Sequence, residues 1–189
     1  MAKKRLILVG NKPTNKDGLS NLVDSFDYVV RVNRMNNLGA TGTKIDGCYI
    51  GAWPDWKYKY KGGEHRDLYK TIPHLFMIKR TWENFENYKE FITDEQYANV
   101  ELLDFSICKE HIGTPRATSA LRVLDCLLHS HWVDEYDISI TGIDVEGRGW
   151  LFINNPTWSE TGHKYAGFAE ERYLKKIIEE GLVTRIPDE

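Results

Sequence analysis

The sequence has few cysteines, no long apolar run and no excess of positive charge. Cys48, Cys108 and Cys126 are too few and too far apart for a disulfide framework or a zinc cluster of closely spaced ligands, which favours buried free thiols. No apolar stretch approaches the roughly 18 to 20 residues that span a bilayer, and the N-terminus lacks a signal peptide's small-residue cleavage site. We therefore expect a soluble, cytoplasmic protein without a transmembrane segment.

Charge and composition exclude two further classes. The 25 Lys and Arg residues against 28 Asp and Glu give a net charge of -3, so no global positive field would collect nucleic acid. A hydrophobic content of 41%, with 12% aromatic residues, is typical of a folded chain and not of a disordered one. The length is that of one domain, which we expect to comprise residues 1–189.

Seven short runs of β-branched and other apolar residues predict strands. They are residues 4–9, 27–32, 47–51, 75–78, 100–103, 137–141 and 182–186. Helical patterns lie between several of them, around 19–24, from about 117 onward and over 168–180. Strands that alternate with helices predict an α/β fold, here a single Rossmann-like, doubly wound and mainly parallel sheet.

A set of polar and glycine residues follows the predicted strands, where a doubly wound sheet binds its ligands. The set consists of Gly10, Asn11, Lys12, Asn33, Gly142 and Asp144. The loop after the first strand is neither GxGxxG nor a Walker P-loop, which argues against a dinucleotide or ATPase site. The alternative is a purely structural role, in which Asn11 and Asn33 close turns and Asp144 stabilises the loop after its own strand.

The segment TPRATSALRVLDCLL places Thr118 and Ser119 in the first turn of a helix. Free backbone N–H groups and the helix dipole favour an anion there, so a phosphate is one candidate ligand. Arg116 precedes this turn and is placed to meet a phosphate or carboxylate, although it is equally able to pair with a surface acid. The alternative for the Thr and Ser residues is simple helix capping.

These segments resemble the motifs of one enzyme family. ILVGNKPTN, DYVVRVNR and TGTKID, in that order, resemble the large donor-binding motif of the sialyltransferases. TPRATSALRVLDCLL leading to ISITGID resembles the second block of the bacterial sialyltransferases, and GHKYAGFAEERYLKKI resembles their terminal block, in which a His precedes a helix. The three blocks occur in the family's order.

The resemblance implies a GT-A-like variant of the Rossmann fold and a specific chemistry. Such enzymes transfer sialic acid from CMP-sialic acid to a sugar hydroxyl with inversion and without a metal, because hydrogen bonds and a helix N-terminus meet the charge of the leaving CMP. By resemblance, Asn11 and Asn33 bind the nucleotide, Thr118 and Ser119 the phosphate or cytidine, and His163 is the general base.

The implied partners are a nucleotide-sugar donor and a glycan or glycolipid acceptor in surface polysaccharide biosynthesis. No cofactor is implied, and a homo-oligomer is left open. Lys12 stands where the family has a glycine, and the stretch after TGID lacks the tyrosines that meet the departing phosphate in the bacterial enzymes. Two interpretations follow: Arg148 or Lys12 supplies that stabilisation, or the donor is another sugar nucleotide.

Two other functions stay open at this stage. One is a nucleotide-binding accessory protein that keeps the donor pocket and has lost catalysis, which the missing tyrosines favour. The other is a nucleotide-dependent hydrolase in which His163 activates water. The alternative to a catalytic His163, whether as general base of the transfer or as activator of water, is a surface or helix-capping role.

Overall fold

A seven-stranded sheet, in which every neighbouring pair is parallel, forms the centre of the molecule. The computed structural model describes residues 2–14, 16–33, 35–51, 66–115, 117–145 and 163–188, and only the backbone of residues 66 and 163–167. The strands are β1 (Lys4–Val9), β2 (Tyr28–Val32), β3 (Gly47–Tyr49), β4 (His74–Ile78), β5 (Glu101–Leu103), β6 (Tyr136–Thr141) and β7 (Thr184–Arg185). Their spatial order is β5-β4-β3-β2-β1-β6-β7.

The described helices lie between these strands in the chain. They are α1 (Leu19–Asp24), α2 (Lys79–Glu83), α3 (Asp94–Ala98), α4 (Cys108–Ile112), α5 (Ser119–Leu128), α6 (Trp132–Glu135) and α7 (His163–Glu179), with short 3-10 helices at Arg66–Thr71 and Tyr88–Glu90. Over the ranges given above, none of the helices has the length and apolar character needed to cross a membrane.

Alternating side chains of β1 divide the core between the two faces of the sheet. Leu6 and Leu8 belong to a cluster that includes residues of α4, α5, α6 and α7. Ile7 and Val9 belong to a second cluster, with α1. Because successive side chains of a strand point to opposite faces, both faces of the sheet are covered, as a parallel sheet requires.

The chain builds this sheet in two directions from β1. It first adds β2 to β5 on one side and then returns to place β6 and β7 on the other side of β1. Elements of the first half cover one face, and α4 to α7 cover the other. This is the doubly wound, Rossmann-like α/β architecture, and the predicted fold class and all seven predicted strands are confirmed.

A buried arginine ties the segment that follows β2 to the sheet. Arg31 is 1% exposed. Its guanidinium donates to the carbonyls of Lys44 (3.0 Å), Thr41 (2.8 Å) and Gly42 (3.0 Å) and to the Thr41 hydroxyl (2.8 Å). Burial lowers the pKa of Arg31 to about 10, so the side chain stays charged at neutral pH. The planar fork thus satisfies several acceptors of one loop at once.

We predict that Arg31→Met lowers the free energy of unfolding by about 3 kcal/mol, because methionine leaves these buried acceptors without donors. Urea denaturation would measure the loss. The matched control is Arg80→Met in the exposed part of α2, which should change stability by less than about 0.5 kcal/mol. An equal effect of the two substitutions would contradict the role assigned to Arg31.

Candidate functional site

The carboxyl ends of β1 and β6 lie side by side, and the chain connections leave these two strands in opposite directions along the sheet. An open α/β sheet binds ligands in the crevice outside such a point. We call this region the β1/β6 crevice and define it by two loops, residues 10–14 after β1 and residues 142–145 after β6. Five of the predicted site residues lie on these loops: Gly10, Asn11, Lys12, Gly142 and Asp144.

The two loops approach each other through glycine. The Gly10 amide donates to the Thr141 carbonyl and the Lys12 amide to the Gly142 carbonyl, both at 2.9 Å. A Cβ atom on Gly10 would lie 2.2 Å from the Gly142 oxygen, and Gly142 itself has a φ of +64°. Side chains are therefore excluded at both positions on steric and conformational grounds. Gly10 and Gly142 shape the crevice through their backbone.

Asn11 spans the gap from the crevice to the end of β2. Its side-chain amide donates to the Val32 carbonyl at 2.9 Å, and its Oδ1 accepts from the Asn36 amide at 3.0 Å. Asn37, which the sequence reading did not single out, is buried and donates to the carbonyls of Gly10 and Lys12. These bonds hold the loop after β1 in one conformation. Nucleotide binding by Asn11 stays a prediction.

Asn33 occupies the turn directly after β2 and has a φ of +51°. Its Oδ1 accepts from the Gly51 amide at 2.9 Å, and its carbonyl accepts from the Tyr69 hydroxyl at 2.7 Å. Asparagine tolerates this left-handed conformation better than most residues. Asn33 thus connects the ends of β2 and β3, and its predicted contact with a nucleotide is likewise a prediction.

Lys12 forms an ion pair inside the protein. Its Nζ lies 3.5 Å from Oδ1 of Asp188, a carboxylate that is 2% exposed and lies 3.8 Å from the Arg185 guanidinium. The Thr14 hydroxyl also donates to the Asp188 carbonyl at 2.5 Å. The residues after β7 therefore pack on the loop that follows β1. Lys12 has an acidic partner already, which reduces its capacity to meet a phosphate.

The first turn of α5 carries Thr118 and Ser119, and a carboxylate is bound to it. Glu170 of α7 accepts a hydrogen bond from the Thr118 amide, and its side chain is also bonded to the Thr118 side chain. Ser119 is the first residue of the helix and is partly buried. The N-terminus of α5 thus holds a carboxyl group supplied by the protein itself, and the helix dipole favours the ionised form of that group.

The environment of Glu170 makes its charge sensitive to pH near neutrality. Burial is the main cause that raises the pKa of this carboxyl and the nearby Asp144 carboxylate adds to it, whereas the bonds to Thr118 and the Arg122 charge lower it, so that the pKa is about 7. Asp144 follows β6, so Glu170 also lies within electrostatic reach of the crevice.

A hydroxyl at the same edge, that of Thr141, is buried without a hydrogen-bond partner among the described residues.

Three of the predicted site residues have side chains outside the described residues. They are Arg116, Arg148 and His163. The backbone places His163 at the first residue of α7, seven residues before Glu170. The sequence predicted a helix after this histidine, and the helix includes the histidine itself.

Residues that hold the site together were missed because their partners are distant in sequence. Glu170 looks like an ordinary acidic position on an amphipathic helix, and its partner Thr118 is 52 residues away. Asn37 and Asp188 lie in irregular segments with no periodic pattern. The only local sign was the repeated asparagine of NRMNN after β2, a composition typical of loops that bond to their own backbone.

The described residues that could coordinate a metal lie away from the crevice. Across the part of the chain that the structure describes, one group of three candidate ligands occurs, formed by His111, Asp125 and His129. Asp125 and His129 belong to the far end of α5, roughly 10 to 15 Å along the helix axis from Ser119.

The protein is thus a doubly wound α/β protein, and its candidate site lies at the switch point of the sheet, between β1 and β6. No protein-family model matches the chain, and no curated protein sequence matches it either. Among solved structures, it is similar to the crystal structure of a mammalian sialyltransferase in complex with Gal-beta-1-3GalNAc-ortho-nitrophenol. The TM-score is 0.63 at 12% sequence identity, over 99% of this chain and 70% of that chain. The chain therefore has a sialyltransferase-like fold.

We predict that Glu170→Gln removes a pH dependence of stability between about pH 4.5 and 7. Because the folded-state pKa lies above the ordinary value of 4.5, the folded protein binds this proton more tightly than the unfolded chain does. The resulting stabilisation is complete below pH 4.5 and is lost as the pH rises through about 7. The change is at most about 1.4 kcal/mol per pH unit.

Urea denaturation of both proteins at several pH values measures this difference. The control is Glu179→Gln at an exposed position of α7, which should follow the wild-type curve. Parallel curves for wild type and Glu170→Gln would show that Glu170 does not titrate in this window.

Proposed function

We propose that this chain is a glycosyltransferase that binds a CMP-activated sugar in the β1/β6 crevice. The sugar, sialic acid or a related one, passes to a glycan hydroxyl with inversion and without a metal. The observation that supports this most strongly is the combination of a sialyltransferase-like fold with a helix N-terminus that already binds a carboxyl group of the protein itself. The bacterial family and the surface-polysaccharide pathway are parts of the same proposal.

The phosphate of the donor would occupy the start of α5. The hydrogen bond from the Thr118 amide to a carboxyl oxygen of Glu170 supports this position as one that would bind a phosphate oxygen. A phosphate at that amide must compete with Glu170. A carboxyl with a pKa near 7 gives way at lower cost than an ordinary one, since its protonated form is accessible at neutral pH.

His163 and Arg148 complete the proposed chemistry. His163 is the first residue of α7, seven residues before the Glu170 that contacts the start of α5, and it would accept the proton of the acceptor hydroxyl. Arg148, in the segment after β6, would donate to the departing phosphate. We assign this role to Arg148 because Lys12, the other candidate, pairs with Asp188. Lys12 then keeps the loop after β1 in place.

The proposal predicts selective, metal-free binding of CMP. Calorimetric titrations with CMP, CDP, UMP, UDP and GDP, first without metal and then with Mg²⁺, would measure it. At pH 8, Glu170→Gln should bind CMP about 3- to 10-fold more tightly than wild type, because no carboxylate then competes for the Thr118 amide. The exposed control Glu179→Gln should bind like the wild type.

A preference for a nucleoside diphosphate, or no binding of any of the five nucleotides, would contradict the proposed donor. Unchanged affinity in Glu170→Gln, with CMP binding intact, would move the phosphate away from the start of α5 and leave the rest of the proposal standing.

For the chemical step, we predict that His163→Ala lowers transfer by about 10²- to 10⁴-fold and leaves CMP affinity nearly unchanged, because a general base acts on the rate. CMP release from CMP-sialic acid would be followed with and without Gal-beta-1-3GalNAc-ortho-nitrophenol, the molecule bound in the mammalian structure. The exposed His131→Ala serves as control and should turn over like the wild type.

The same assay separates the alternatives. CMP release that needs no acceptor indicates a hydrolase. Binding of CMP without any release indicates an accessory nucleotide-binding protein. Wild-type turnover in His163→Ala would remove this histidine from catalysis.

A further inference from the structure

A fully buried carboxylate lies in α5, away from the crevice. Asp125 is 0% exposed although its neighbours Leu124, Cys126 and Leu127 belong to the apolar core. An ionised carboxylate inside a protein requires compensation by hydrogen bonds and by positive charge. The structure provides the first from α7, because the Tyr173 hydroxyl donates to Asp125 Oδ1 at 2.5 Å.

Two histidines face the same carboxylate from different helices. His111 of α4 has its Nδ1 3.0 Å from Asp125 Oδ2, and His129 at the end of α5 has its Nδ1 3.4 Å from Oδ1. The two imidazole rings are stacked, with centroids 4.0 Å apart and planes 24° from parallel. One candidate ligand atom from each of the three residues lies within 4.8 Å of the others.

This geometry matches what a small divalent ion of the zinc class requires. Bonds of about 2.0 to 2.2 Å in a tetrahedron separate ligand atoms by about 3.3 Å, and Asp125 Oδ1 lies 3.2 Å from His111 Nδ1 and 3.4 Å from His129 Nδ1. Asp125 and His129 stand four residues apart on one helix, a spacing that places two ligands on one face. Imidazole nitrogens and a carboxylate oxygen are ligands that zinc accepts.

The surroundings have the features of a metal site as well. The Tyr173 hydroxyl would orient the Asp125 carboxylate through its bond to Oδ1. The His111 and His129 side chains are 33% and 43% exposed, so solvent could supply a fourth ligand. His129 caps the C-terminus of α5, where the helix dipole favours a cation.

We propose that His111, Asp125 and His129 form a binding site for a divalent transition ion of the zinc class, which joins α4 to the end of α5. The ion would sit on one face of the sheet and outside the β1/β6 crevice, so this proposal does not depend on the glycosyltransferase assignment. Its effect is on the stability of the α4, α5 and α7 packing. The alternative to a bound ion is a proton on one of the two imidazoles, which would lie between that ring and the Asp125 carboxyl group.

Metal-free full-length protein, prepared by dialysis against a chelator, would be titrated with Zn²⁺ alone in a calorimeter. We expect saturable binding, a rise in Tm of about 5 °C at a large excess of zinc over Kd, and affinity at least 10-fold weaker in His111→Gln and in His129→Gln. His131→Gln removes an exposed histidine outside the group and should bind like the wild type. With Co²⁺ as the probe, the visible absorption of a tetrahedral ion should appear in the wild type and be lost in the two variants.

Both substituted histidines are partly exposed, and circular dichroism would verify that the variants fold. No saturable zinc binding, equal affinity in wild type and both variants, or an equal loss in His131→Gln would overturn the proposal. CMP binding and turnover are measured in separate assays, so failure of the metal site and failure of the proposed function are distinguishable.

Discussion

The close approach of Gly10 and Gly142 is the constraint on which the carboxyl edge of the sheet depends. β1 pairs with β2 on one side and β6 on the other, so its end is fixed by both neighbours. The loop after β1 then has to pass within hydrogen-bond distance of the loop after β6, and no Cβ fits between them. This contact sets the floor of the β1/β6 crevice. Asn11 and Asn37 stabilise the loop after β1 by further hydrogen bonds. The ion pair of Lys12 with Asp188 connects the residues that follow β7 to the same loop.

Much of the fold could be predicted from the sequence because a buried parallel sheet has a strong local signal. Seven β-branched runs predicted the seven strands, and the pattern at 19–24 predicted α1 with its observed bounds. The short helices α2, α3, α4 and α6 were not predicted, since four or five residues give too little periodicity to distinguish a helix from a loop. α7 begins five residues before the predicted start at 168, because its first turn carries no apolar stripe that marks it.

The position of the candidate site at the edge of the sheet could be predicted from the sequence, but the hydrogen-bond and ion-pair partners of its side chains could not. Residues after strand ends converge in any parallel sheet, which is why Gly10, Asn11, Gly142 and Asp144 could be placed at one edge from sequence alone. What each side chain bonds to depends on contacts between distant segments. Glu170 illustrates the difference: nothing in its helix distinguishes it from the exposed Glu179, yet it bonds to Thr118 of a distant segment, and burial there raises its pKa to about 7.

Helix α5 links the two proposals through one property of its backbone. Its N-terminus presents amide groups and partial positive charge to the crevice, and its C-terminus presents partial negative charge to the region of His111 and His129. An anion is therefore favoured at one end, where the Glu170 side chain binds, and a cation at the other, where His111 Nδ1 lies 3.0 Å from the Asp125 carboxyl group. Tyr173 and Glu170 both belong to α7, so a single helix supplies the polar contacts to both ends of α5. A change in the packing of α7 on α5 would consequently alter both the start of α5 at the crevice and the group of His111, Asp125 and His129. The chemistry proposed for each site is independent of the other.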